Sequence, residues 1–123
     1  MSAASLILNI DQGSTFKRKL IFRDSNNVLV DLTGQVFTGK IKKNVTDTLE
    51  VASFSFTVLN QTTNLGEVTF ELSDEASSAI VLKTQKGAKR TPEEFAYDIE
   101  RAFPNGEVER ILQGIVKISP EVT

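Results

Sequence analysis

The amino-acid sequence predicts an all-β protein, an antiparallel β-sandwich of about eight strands with one short helix. Three observations point there. Apolar and polar residues alternate with a period of two through most of the chain, the pattern of strands with one buried and one wet face. Clusters of Gly, Asn, Asp and Ser interrupt that alternation at intervals close to the roughly 8–12 residues typical of sandwiches and barrels. Cysteine is absent, so neither a disulfide nor a thiolate metal site can hold the chain, and packing must do so. Sheets with one wet face must cover each other's apolar faces, which gives a sandwich; a closed barrel is the alternative that the same pattern allows.

Each element follows from the same count. Leu6, Leu8 and Ile10 set a first short strand, ended by Asp11, Gln12 and Gly13. Phe16, Leu20 and Phe22 then share one face against Lys17, Lys19, Ile21 and Arg23. Arg18 breaks the phase by falling on the inner side, which places it near a strand end or at a sheet edge. Residues 24–27 (DSNN) tolerate turn conformations. Val28, Leu29 and Val30 make a short strand, and Asp31-Leu32-Thr33-Gly34 makes a tight corner. There the Asp and Thr side chains can bond nearby backbone N–H groups, and Gly34 can take positive φ. Phe37, Gly39 and Ile41 oppose Thr38, Lys40 and Lys42 in the next strand. Phe54, Phe56 and Val58 alternate with Ser55 and Thr57 before the polar run NQTTNLG.

The cleanest alternation sets Val68, Phe70 and Leu72 against Glu67, Thr69 and Glu71. Ser73 heads a segment through Leu82 with acid in its first turn, a short helix capped by that serine. After a polar excursion over 83–91, Phe95, Tyr97 and Ile99 oppose Glu94, Asp98 and Glu100. Pro104-Asn105-Gly106 is a turn that leads into a last strand over 108–118. No internal repeat, low-complexity tract or linker interrupts the series, and residues 1–123 read as one domain.

Charge and composition remove several function classes. Fourteen Lys and Arg against sixteen Asp and Glu give a net charge of -2, so the field of the whole molecule offers no general attraction to nucleic acid or acidic membrane. No apolar run approaches the roughly 18 residues of a membrane span, and the first residues lack the pattern of a signal peptide. A soluble protein without Sec export is the expectation. Histidine is absent, which removes the commonest general base and the commonest metal ligand together. No Gly-x-Ser-x-Gly elbow occurs either, so neither an enzyme nor a cofactor is expected.

Two clusters are candidates for binding a partner. The stretch KTQKGAKRT gathers Lys83, Lys86, Lys89 and Arg90 around Gly87, either as a solvated loop or as a contact for an acidic protein surface. Nucleic acid is disfavoured there, because no aromatic residue is interleaved to stack a base and the spacing matches no phosphate-binding loop. Glu94, Asp98 and Glu100 line one outward strand face. Paired carboxylates can serve glycosidase chemistry or bind calcium, but alternation alone accounts for these three as a solvated face. A basic loop beside an acidic strand would also suit contact between identical copies. Tyr97, the single tyrosine, reads as a core residue with its hydroxyl at the rim. Asn44 and Asn60 open glycosylation sequons, accidental in a chain without an export signal.

The order of these pieces resembles a known group. IDQGSTF, the DSNN turn, VLVDLTG, FTGKIKK, FSFTV, GEVTFELS, FAYDIE and the closing GEVERILQGIVKISPEVT are together similar to small β-sandwich domains of tailed-bacteriophage virion proteins, in particular the N-terminal domain of phage upper baseplate proteins. The most specific elements are Asp31-Leu32-Thr33-Gly34, Tyr97-Asp98-Ile99 and residues 114–123. The resemblance implies an immunoglobulin-like sandwich without enzymatic activity. It also implies docking onto other virion structural proteins in several copies, without nucleic acid or membrane, with the chain located in the virion after synthesis in the bacterial host cytoplasm. Two features depart from the pattern: no receptor-binding or trimeric extension is expected after the last strand, and the 83–91 excursion is long. The expected function is a structural docking module of the tail or baseplate. Capsid decoration is the nearest alternative, and a carbohydrate-binding module is a rival disfavoured by the absence of tryptophan.

Overall fold

Alternation in the sequence becomes nine strands and one helix among the described residues, 4–44, 46–82 and 92–120, of a computed structural model. In chain order the strands are β1 (Ala4–Ser5), β2 (Leu8–Asp11), β3 (Phe16–Ile21), β4 (Val36–Lys42), β5 (Ala52–Ser53), β6 (Ser55–Val58), β7 (Glu67–Leu72), β8 (Glu93–Ala102) and β9 (Val108–Ser119). Helix α1 (Asp74–Ser78) follows β7. One sheet runs β9-β8-β4-β5, with β1 and β2 along the outer side of β9; the other runs β3-β7-β6. Their apolar faces pack together as an all-β sandwich.

The sandwich is not wholly antiparallel. Both β1 and β2 run parallel to β9, Ala4 opposite Leu112 and Leu8 opposite Val116, whereas β4, β5, β8 and β9 pair antiparallel. Period-two patterning assigns faces and says nothing about direction. Because the chain leaves β2 for the other sheet, no hairpin obliges β2 to oppose β9. Leu6 also departs from expectation: Leu8 and Ile10 are buried, but Leu6 sits at the break between β1 and β2 and is half exposed.

The stretch Val28, Leu29 and Val30 is not a strand. It folds back on the end of β3 through a single bridge between Leu29 and Arg23, with the Val30 N–H donating to the Phe22 carbonyl at 3.0 Å. Asp24 Oδ1 accepts from the N–H groups of Asn26 and Val28 and closes this turn before a ladder can grow. The corner after it is built as the residues suggest. Asp31 Oδ1 accepts from the Thr33 hydroxyl at 2.6 Å and N–H at 2.9 Å, and these bonds hold its carboxyl below the usual carboxylate range. Gly34 takes φ +80°.

The corner's purpose is packing, since it sinks Leu32 completely beside Phe37 and Val68. Gln61 completes it, with Oε1 accepting from the N–H groups of Leu32 and Gly66 at 3.0 and 2.9 Å. Over this second core lies Arg101, its guanidinium 5.0 Å from the Phe22 ring and 4.8 Å from the Phe103 ring, with Nη2 donating to Glu109 at 3.0 Å.

Helix α1 begins as predicted: Ser73 Oγ accepts from the Ala76 N–H. Buried Ser77 then ties the helix to the turn after β2. Its Oγ donates to the Ser14 carbonyl and accepts from the Gly13 N–H, both at 3.0 Å.

The main core forms where the chain changes sheets. Residues 52–58 pair first with β4 and then with β7, and Phe54 sits at the crossing, its N–H donating to the Gly39 carbonyl at 2.9 Å. Its ring meets Phe70 edge-on at 5.2 Å and Tyr97 at 6.4 Å. This is possible because position 39 has no side chain. A Cβ there would stand 3.0 Å from atoms of both the Phe54 and Phe56 rings and 3.1 Å from Ile99. Gly39→Val should therefore cost about 1–3 kcal/mol by overpacking, seen in urea unfolding as a lower midpoint with an unchanged slope.

Candidate functional site

The three outward carboxylates lie where alternation puts them, on the solvent face of β8, and each stands among cations. Glu94 is opposite Lys117 and Glu100 opposite Arg110, while Asp98 is opposite Lys40 and forms an ion pair with Arg110 at 3.6 Å. Cross-strand pairing of opposite charges stabilises such a face modestly. It does not gather carboxylates around a reacting atom or a cation. Among the described residues no group of three or more carboxylate side chains is placed to hold a metal. The basic cluster Lys83, Lys86, Lys89 and Arg90 lies outside the described residues.

A different surface stands out, on the flank where β2 and β3 end their respective sheets. Among the described residues strand β3 has a neighbour on one side only, and so do β1 and β2. Between them runs a groove of about 250 Å3 lined by Leu6, Ile7, Leu8, Phe16, Leu20 and Phe70, with the exposed polar residues Asn9, Arg18 and Lys19 at its rim. Arg18 is exposed at this sheet edge, where its phase break places it. Its guanidinium lies 4.4 Å from the Phe16 ring centre and donates to the Lys17 carbonyl. On the outer face of the same strand Lys19 pairs with Glu67 at 2.8 Å, which lowers the carboxyl's pKa, and Lys17 is 4.0 Å from Glu71. The sequence signalled Arg18, but the groove needs two strands of different sheets and so has no local signature.

Tyr97 does not line the groove but braces its wall at Leu6 from inside the core. The ring is buried, and the hydroxyl donates to the Leu6 carbonyl at 2.6 Å, reaching the edge segment between β1 and β2. Gly114 stands opposite Tyr97 on β9 with φ +151°, and a Cβ there would strike the Leu6 carbonyl oxygen. Glycine and tyrosine thus act together to hold Leu6 against β9. Burial pushes the phenol up to about 12.

No protein-family model matches the chain, and no curated protein matches it.

Replacing the tyrosine tests the wall. Tyr97→Phe leaves the Leu6 carbonyl without its donor and should cost about 1–3 kcal/mol in thermal or chemical unfolding. The pH response follows from the raised phenol. Between about pH 10 and 12 the unfolded chain releases this proton and the folded chain keeps it, so stability falls as pH rises, by roughly 2–3 kcal/mol over the window. Ultraviolet titration of the single tyrosine should show a midpoint near 12 in the folded protein, against about 10 in denaturant.

Proposed function

We propose that the chain is a non-enzymatic structural component of a bacteriophage virion, a docking module of the tail or baseplate that assembles by protein–protein contacts. The observation that carries this reading is the coincidence of fold-making residues with the residues of resemblance. Within Asp31-Leu32-Thr33-Gly34 the leucine is sunk into the second core, and Tyr97 and Gly114 fix the edge of the larger sheet. The likeness to phage sandwich domains therefore rests on positions that the architecture requires.

The connectivity supports an immunoglobulin-like assignment within that reading. The orders β3-β7-β6 and β9-β8-β4 follow the B-E-D and G-F-C arrangements of immunoglobulin sheets, with β5 in the place of an added edge strand. Edges left unpaired among the described residues of both sheets suit a protein whose work is contact with neighbours in a particle. The carbohydrate-binding alternative fares worse, because the single tyrosine is buried and no tryptophan exists to stack on a sugar.

Mass spectrometry of purified particles, separated into heads and tails, tests the assignment. The expected result is the chain in the tail fraction at several copies per particle. Its presence in heads alone would favour the decoration role, and its absence from particles would overturn the virion reading.

A further inference from the structure

The two flanks of the sandwich are unlike. On one, residues 52–58 cross from sheet to sheet with Phe54 between them. On the other, the sheets end separately, and the β2/β3 groove lies between their edges. At about 250 Å3 this groove falls below the roughly 300–1,000 Å3 of sites that enclose small ligands, a size that suits a protruding side chain. Its floor of Phe16, Leu20 and Phe70 asks for an apolar tip. Its rim asks for a carboxylate, since Arg18 forms no ion pair among the described residues. Pairing two β3 edges with each other would set Lys17, Arg18 and Lys19 against themselves, which like-charge repulsion opposes.

The chain itself carries a tip of the required kind. On the connection between β4 and β5, at the far edge of the larger sheet, Leu49 is 81% exposed and is followed by exposed Glu50. Glu50 also forms no ion pair among the described residues. Other exposed apolar residues serve less well. Val81 has no acidic neighbour in sequence, and Val108, though it follows exposed Glu107, is held in the β8/β9 ladder opposite Ala102 rather than on a connection.

We propose that the chain associates with itself head to tail, the bend at Leu49 and Glu50 of one copy seated in the β2/β3 groove of the next. Leu49 then meets Phe16 and Leu20, and Glu50 meets Arg18. Knob and groove stand on opposite flanks, about 20 Å apart across the strands of the larger sheet. Each bound pair keeps one of each free, so the contact is heterologous and extends into a ring or filament. One leucine and one ion pair bury well under the roughly 800 Å2 per partner of a stable interface. The contact is therefore weak between two copies and strengthens where a scaffold presents many. This inference rests on the proposed role as a docking module present in several copies.

Sedimentation of the purified chain across concentrations up to about 1 mM tests it. The wild type should exceed the dimer as concentration rises. Arg18→Glu and Leu49→Asp, both at exposed positions and checked for folding by circular dichroism, should each weaken association at least tenfold. An equimolar mixture of the two should stop at the dimer, because one variant keeps the knob and the other keeps the groove. A wild type that stays monomeric, variants that assemble like it, or a mixture that stays monomeric would each overturn the proposal. The chain found in virions yet monomeric alone would end this inference and leave the virion reading standing; assembly in solution with no trace in particles would do the reverse.

Discussion

The structure depends on an aromatic layer that clamps the two sheets where the chain passes between them. Phe54 belongs to neither sheet, yet its ring meets Phe70 from one and Tyr97 from the other, while Phe16 closes on both Phe54 and Phe70 at 6.3 and 6.0 Å. Edge-on and tilted rings in contact add specific attraction to the apolar area they bury. With no cysteine in the chain, that contact has to do the work of a covalent link between layers. The empty position at Gly39 is part of the same device, since the rings approach only where a backbone offers no side chain.

Much of this was legible in the sequence, and the illegible parts have identifiable causes. Alternation reveals which residues face inward, so Phe95, Tyr97, Ile99, Val68, Phe70 and Leu72 could be assigned to the core from spacing alone, and all are buried. The serine cap of α1 and the glycine of the 31–34 corner were visible because each does a local chemical job. Strand direction was not visible, and the parallel course of β1 and β2 beside β9 came as a departure. Nor could spacing show that Val28, Leu29 and Val30 would be stopped by the Asp24 side chain bonding two of the N–H groups around them.

The surfaces divide the same way. Glu94, Asp98 and Glu100 were found because they lie on one strand, and their meaning changed once Lys117, Lys40 and Arg110 were seen opposite them. A strand's own sequence cannot reveal the charges across from it. Arg18 was legible as an anomaly, a cation in an inward phase, and the free edge explains why it is tolerated: the side chain stays exposed while its guanidinium stacks over the Phe16 ring. Charge directed toward the interior of an edge strand also blunts unwanted sheet extension. The same residue can thus guard the edge against indiscriminate pairing and admit a partner that brings the opposite charge.

The parallel pairing of β2 with β9 also orders events during synthesis. Leu8 finds Val116 across about a hundred residues, so on a translating ribosome β2 waits for that whole interval to be made before its neighbour appears. Until then Leu8 and Ile10 are unsheltered, and the smaller sheet, whose strands β3, β6 and β7 emerge sooner, can pair in advance of the larger one. Closure of the sandwich is accordingly a late and cooperative act, set by the arrival of β9 rather than by the synthesis of β2.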